Sequence, residues 1–169
     1  MALPRKLKNF NLFNDGISFV GVASQVVLPK LTRKMEPFRG AGMNAEVDTD
    51  TGMEKLEVEH TYAGLVREVF NQFGITRADG VLLRFAGAYQ RDDTGEVDAV
   101  EVVMRGRHSE IDPGSSKAGD DTEFKVKSTL SYYKLTINGE EVIEIDVLNM
   151  IERINGEDRI ADQRAAIGL

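Results

Sequence analysis

Ser131-Tyr132-Tyr133-Lys134-Leu135-Thr136-Ile137-Asn138-Gly139-Glu140-Glu141-Val142-Ile143-Glu144-Ile145-Asp146 decides the fold class. Apolar and polar residues alternate on both sides of Asn138-Gly139, which is the period of a half-buried strand. Asn-Gly between two such runs is the strongest short-range sign of a type I′ hairpin, because both turn positions need a positive φ. The spacing predicts antiparallel strands over Glu123–Ile137 and Glu140–Leu148. With Ile137 opposite Glu140, one face pairs Leu135–Val142, Tyr133–Glu144 and Ser131–Asp146. The other pairs Thr136–Glu141, Lys134–Ile143, Tyr132–Ile145 and Leu130–Val147, and reads as the core side. The first has a polar middle and reads as wetted.

The same alternation extends outward along the chain. A second hairpin joins Val81–Arg91 to Glu96–His108 through Asp92-Asp93-Thr94-Gly95. A third candidate has strands near 43–49 and 54–62 around Asp50, Thr51 and Gly52, residues with turn chemistry. Gly16–Val22 and Val26–Phe38 read as extended; Pro29 and Pro37 cannot donate to a ladder and favour an edge or a bulge. Residues 1–15 read as an irregular arm and 110–121 as an exposed polar loop. The period changes only at Leu65, Val66, Val69, Phe70 and Phe73, one helical face ended by Gly74. A short helix is expected from Asp158 to Ile167. No internal repeat or low-complexity tract is evident, and the chain reads as mainly β.

A length of 169 residues fits one domain. Cysteine is absent, which excludes disulfides, thiol redox chemistry and thiolate metal sites, and suits a reducing compartment. Runs such as Val26-Val27-Leu28 fall far short of the roughly 20 apolar residues that span a bilayer, so no membrane partner is expected. Beyond the basic residues Arg5, Lys6 and Lys8, polar Asn9, Asn11, Asn14 and Asp15 break up any apolar run, so no signal peptide is expected either. The net charge is −7, unevenly spread. Residues 1–40 hold seven basic and two acidic groups, a local excess of +5, so the remainder carries −12. Such an acidic body would repel nucleic acid rather than grip its phosphates.

Chemistry finds little footing. His60 and His108 are the only side chains that normally titrate near neutrality. No motif supplies either with an oriented partner, and Ser109 and Glu110 beside His108 are strand neighbours on opposite faces. Glu46 to Glu57 has the span of a calcium loop, but the sixth position, which needs Gly, is Thr51. No catalytic residue, cofactor or metal site is therefore expected. Glu46, Asp48 and Asp50 alternate on one expected strand, and Glu57 and Glu59 on the next, forming an acidic face unless they are simply solvated. Glu144 and Asp146 suggest a second such face. Edges guarded only by prolines invite pairing with another chain.

The order and spacing of several segments resemble one family. They are Asn9-Phe10-Asn11-Leu12-Phe13-Asn14-Asp15-Gly16, Val27-Leu28-Pro29-Lys30-Leu31 and Glu36-Pro37-Phe38-Arg39-Gly40-Ala41-Gly42-Met43. With them go Gly52-Met53-Glu54, Leu56-Glu57, the Asn138-Gly139 hairpin and the ending Arg159-Ile160-Ala161-Asp162-Gln163-Arg164-Ala165-Ala166-Ile167-Gly168-Leu169. The chain is similar along its whole length to the major tail tube proteins of contractile-tailed phages, a family shared with R-type pyocins.

The resemblance implies a β-sandwich or barrel-like tail tube fold with one flanking helix and a short C-terminal helix. One domain, 1–169, would carry an arm at 1–15, a loop at 110–121 and a C-terminal segment at 158–169. It implies a non-enzymatic subunit of stacked hexameric rings inside a contractile sheath, assembled in the bacterial cytoplasm and carried in a virion or released tailocin. The implied partners are further copies, the tail sheath, tape measure, baseplate and tail terminator proteins, and DNA in transit without specific binding. Glu46, Asp48, Asp50, Glu57, Glu59, Glu144 and Asp146 are the expected lumen residues. Arg5, Lys6, Lys8, Asp112, Lys117 and Asp120 are the expected contacts between rings. A type VI secretion tube protein is the nearest alternative. A small ligand-binding or hydrolytic barrel is the alternative from another class, and would need a closed apolar cavity.

Overall fold

A computed structural model describes residues 1–169. Twelve strands and two short helices succeed one another in order: β1 Lys6–Asn14, β2 Ile17–Ser18, β3 Ala23–Val27, β4 Arg33–Phe38, β5 Val47–Met53, β6 Leu56–Tyr62 and α1 Arg67–Asn71. Then come β7 Val81–Gln90, β8 Val97–Asp112, β9 Phe124–Ile137, β10 Glu140–Asp146, β11 Ile151–Ile154, β12 Glu157–Asp158 and α2 Ala161–Ala166. The main sheet runs β12-β11-β10-β9-β8-β7-β1-β2, with β6 on β9 and β3 on β6. The strands β4 and β5 form a separate two-stranded sheet.

The long strands β8 and β9 organise the sheet. On its second edge β9 pairs with β6 from Phe124 to Leu130 and with β10 from Tyr132 to Ile137. Ser131 lies between these partners, and its carbonyl accepts from the Val147 amide at 2.9 Å. Against β8 the register slips at the same place, with Arg105 opposite Tyr132 and Gly106 opposite Leu130. A bulge shifts which side chains face inward: Phe124, Val126 and Ser128 are buried before it, and Tyr133 after it.

Seventeen buried apolar residues form the core, among them Leu12, Tyr62, Phe85, Met104 and Phe124. Phe10 stacks on Phe85 with ring centroids 5.6 Å apart. Such rings bury the most apolar surface per residue.

Several expectations are corrected. The Asn138-Gly139 turn forms as expected, with φ of 50° and 82° and Ile137 opposite Glu140. A bulge at Val142 then moves the register by one, to Leu135–Ile143, Lys134–Glu144, Tyr133–Ile145 and Tyr132–Asp146. Tyr133 and Ile145 are therefore the buried pair. Asp50-Thr51-Gly52 does not turn: it continues β5, whose hairpin partner is β4 around the Gly40-Ala41-Gly42 break. The expected arm is largely β1, which pairs with β7 along its length. The Leu65–Phe73 helix shrinks to five residues, with Val66 and Val69 buried but Leu65, Phe70 and Phe73 exposed. The C-terminal helix starts at Ala161, and Asp158, its expected start, ends β12 and accepts from the Ile160 amide at 3.2 Å.

Candidate functional site

Several backbone edges lack a neighbour. On the outer side of β1 only Phe13 and Asn14 are paired with β2, which leaves Lys6–Asn11 open. No strand covers the second side of β3, and neither outer edge of the β4–β5 hairpin is covered. An uncovered row of N–H and C=O groups is a template for another strand. The hairpin also carries Met35, Phe38 and Val47, which are 47%, 58% and 59% exposed. A two-stranded hairpin alone is marginal in water. This one is held at its base, where Arg33 donates to Asp50 at 2.8 Å, also pairs with Glu152, and the Glu54 amide donates to the Thr32 carbonyl at 2.8 Å.

The expected acidic face is not built within one chain. Asp48 and Asp50 lie on β5, Glu46 just before it, and Glu57 and Glu59 on β6 in the other sheet. Most of these carboxylates already have cationic or polar neighbours. Glu57 pairs with Lys55 at 2.8 Å, which holds its carboxyl below the usual range. Glu59 stands opposite Lys127 across the β6–β9 ladder, and Lys127 also reaches Glu110 at 3.8 Å. Glu144 accepts from the Tyr132 hydroxyl at 2.7 Å and from Arg153 at 2.7 Å. Asp146 accepts from the Asn149 amide and side chain at 3.1 and 2.7 Å.

The basic start is likewise occupied at home. Arg5 pairs with Asp98 and with Glu96, the latter at 3.3 Å, and Lys8 pairs with Asp92 at 2.8 Å. Asp98 also accepts from Asn138 at 3.0 Å, so the β7–β8 and β9–β10 turns are tied together through one carboxylate. Lys6 is exposed and makes no ion pair of this kind. Asp112 accepts from the Gly114 amide at 2.9 Å, and Lys117 pairs with Asp120 at 3.7 Å within the exposed loop.

Both histidines are buried, and they share the hydroxyl of Ser128, at 3.0 Å from His60 and 2.8 Å from His108. Burial pushes them down to about 3 and about 4, so both are neutral near pH 7. No cluster of three or more metal-ligating side chains is present. The two larger clefts, of about 650 and 730 Å³, are open and lined mostly by polar and charged residues such as Lys30, Lys55, Glu59, Arg33 and Arg159. They lack the largely apolar enclosure that small-molecule sites have.

Sequence reasoning missed the β11–β12 hairpin. Its turn, Asn155-Gly156 with φ of 51° and 80°, repeats the Ile-Asn-Gly-Glu tetrapeptide of 137–140 at 154–157. That repetition was the available signal.

The fold is mostly β, with uncovered strand edges and a separate β4–β5 hairpin. The profile of the family described as phage tail tube protein FII matches residues 4–168, and the chain belongs to that family. It is 52% identical to the tail tube protein of Escherichia phage P2 across the full length of both chains. It is 38% identical to the major tail tube protein of Serratia phage KSP20, covering 100% of this chain and 99% of that one. Its fold is shared with chains of an extracellular contractile injection system in the extended state. One is from the PVC sheath–tube complex (TM-score 0.57, 7% identity, 76% of this chain and 88% of that one). The other is from the PVC sheath/tube terminator (TM-score 0.58, 8% identity, 76% and 93%). The protein is a structural subunit of a contractile tail's inner tube.

Proposed function

We propose that copies of this chain close into hexameric rings that stack into a hollow tube within a contractile sheath. The observation that carries this reading is the set of uncovered edges on β1, β3 and the β4–β5 hairpin. Edge-to-edge addition satisfies backbone groups that water otherwise holds, and ring closure removes the free edge altogether. The exposed Met35, Phe38 and Val47 give the hairpin an apolar surface to bury on an adjoining copy. Negative-stain microscopy of concentrated protein tests this: sixfold rings or tubes support it, and a persistent monomer at high concentration overturns it.

In this reading the tube is a conduit for DNA in a phage, or for ions in a tailocin, and has no catalytic activity. Sheath, terminator, tape measure and baseplate proteins are its partners, and it is assembled in the host cytoplasm. The bore is acidic and repels phosphodiester strands, so a polymer slides without adhering. Glu46, Asp48, Glu59 and Asp146 make no ion pair within the subunit and are its strongest candidates for the lumen, with Asp50, Glu57 and Glu144, each paired with a cation, as companions. Replacing Asp48, Glu57, Glu59 and Asp146 by Lys slows genome ejection from otherwise normal tails. Unchanged ejection refutes the lumen assignment while leaving ring formation standing.

The arm's proposed role between rings narrows. Arg5 and Lys8 are engaged within the subunit, which leaves Lys6 as the unpaired cation of the arm; of the 110–121 loop, residues 110–112 belong to β8, and Lys117 and Asp120, paired only with each other, are exposed toward a stacked ring.

A further inference from the structure

One line of side chains runs from the surface into the core, and its protons point one way. Asp15, exposed in the β1–β2 turn, accepts from Gln72 Nε2 at 2.7 Å. The same nitrogen donates to Asn14 Oδ1 at 2.7 Å, and Asn14 Nδ2 returns a bond to Gln72 Oε1 at 2.9 Å. A carboxylate only accepts, so the Gln72 amide nitrogen faces Asp15 and its oxygen faces His108. His108 Nε2, 2.9 Å from that oxygen, must then carry the proton. Its Nδ1 is left as an acceptor for the Ser128 hydroxyl at 2.8 Å. The Ser128 oxygen is thereby free to accept from His60 Nε2–H at 3.0 Å, and His60 Nδ1 accepts from the Tyr62 hydroxyl at 2.7 Å.

The buried end enforces the same order. Tyr62 is fully buried, and His60 is the hydrogen-bond partner of its hydroxyl. Reversing the line would leave that O–H without an acceptor, which buried polar groups rarely tolerate.

We propose that this line is a latch, directed by Asp15 and Tyr62, which holds the end of α1 to the sheet while both imidazoles are Nε2–H tautomers and releases it when either is protonated. The β1–β2 turn keeps its own hold on β7, through the Asp15 amide to the Leu82 carbonyl at 2.9 Å and the Leu82 amide to Asp15 at 3.2 Å. A five-residue helix cannot sustain itself, and α1 buries only Val69 within its span. Gln72, just past its C-terminus, is bonded on one side to β1 and its turn and on the other to β8.

A proton added to His60 Nδ1 would confront the Tyr62 O–H, and one added to His108 Nδ1 would confront the Ser128 O–H. The titratable groups facing the line are His60 and Tyr62 from β6, His108 from β8 and Asp15 from the turn. The strand β9 contributes Ser128, β3 places Val26 opposite His60, and β1 contributes Asn14. Asp15 alone favours a charged His108, and burial outweighs it. The ring centroids of the two histidines are 5.6 Å apart, so charging both would add mutual repulsion.

Nitrogen-15 NMR of full-length, histidine-labelled protein tests the latch, in solution or by magic-angle spinning on tubes. At pH 7 both rings show the Nε2–H pattern, and an Nδ1–H pattern on either overturns the proposal. In the Asp15→Asn/Tyr62→Phe double variant, which frees both ends, an Nδ1–H fraction appears. Unchanged pure Nε2–H in that folded variant shows that the ends do not set the direction. If the double variant does not fold, the wild-type pattern remains decisive. On acidification the amides of residues 67–72 lose exchange protection before those of β7 and β8. Loss in step with the whole sheet would show that no local latch exists.

Discussion

A β-carbon on Gly106 would overlap the carbonyl oxygen of Thr129, because β8 and β9 approach closely where the Ser131 bulge begins. Nothing larger than hydrogen fits without moving one backbone. Gly106→Ala is expected to destabilise the subunit by roughly 2–4 kcal/mol, in the range of strained or overpacked interior substitutions. Denaturant unfolding followed by circular dichroism measures this, and a loss below about 0.5 kcal/mol, the size of an ordinary surface change, would show that the strands separate freely there.

Asp98 holds Arg5 and Asn138 together at the tips of two hairpins. Asp98→Ala leaves the Asn138 amide without its acceptor and Arg5 with Glu96 alone, and is expected to cost about 1–2 kcal/mol. Arg5→Ala costs less, since Asp98 keeps the Asn138 bond. Equal losses in the two variants would mean that Asn138 contributes nothing through this contact.

The buried histidines set a pH dependence. Their ordinary value of 6.5 falls to about 3 for His60 and about 4 for His108 on folding. The unfolded chain therefore binds more protons below 6.5. Their contribution to stability is complete above that value and is lost as pH falls toward 4 and then 3. Between pH 7.5 and 5.5, above the range where most carboxylates titrate, linkage gives roughly a hundredfold rise in the unfolding constant from the two rings together. A stability flat across that window contradicts their burial as neutral groups.

Met35 and Phe38 protrude from a hairpin that pairs only with itself. Met35→Glu/Phe38→Glu should leave thermal unfolding of the isolated subunit within about 0.5 kcal/mol, as exposed substitutions do, yet abolish tube formation in microscopy. Normal tubes from this variant would place the hairpin outside the subunit contacts.

Local signals were readable where turn chemistry and alternation agreed, as at Asn138-Gly139 and along Val81–His108. They misled where tertiary pairing overrode them. Asp50-Thr51-Gly52 has turn residues, yet Gly52 takes its φ of 118° inside β5 because β4, not β6, lies alongside. The slip at Ser131 arises where β9 changes partners from β6 to β10, and the bulge at Val142 lies opposite Leu135 and Thr136 beside the turn; no local pattern encodes either. Phe10 and Leu12 did alternate with Asn9 and Asn11, so β1 was legible and was masked by the basic residues before it. The acidic face could be counted from the sequence, but which lysines and arginines neutralise it depended on cross-strand register.

The strands β1 and β3 and the β4–β5 hairpin are held to be incomplete until other copies cover them. An electron cryomicroscopy map of the assembled tube, at a resolution that separates strands, would show whether they are. Intersubunit backbone hydrogen bonds are expected along Lys6–Asn11 or Ala23–Val27, with Phe38 buried against an adjoining copy. A tube whose subunits touch only through side chains, with those edges and Phe38 facing water, would rule this out.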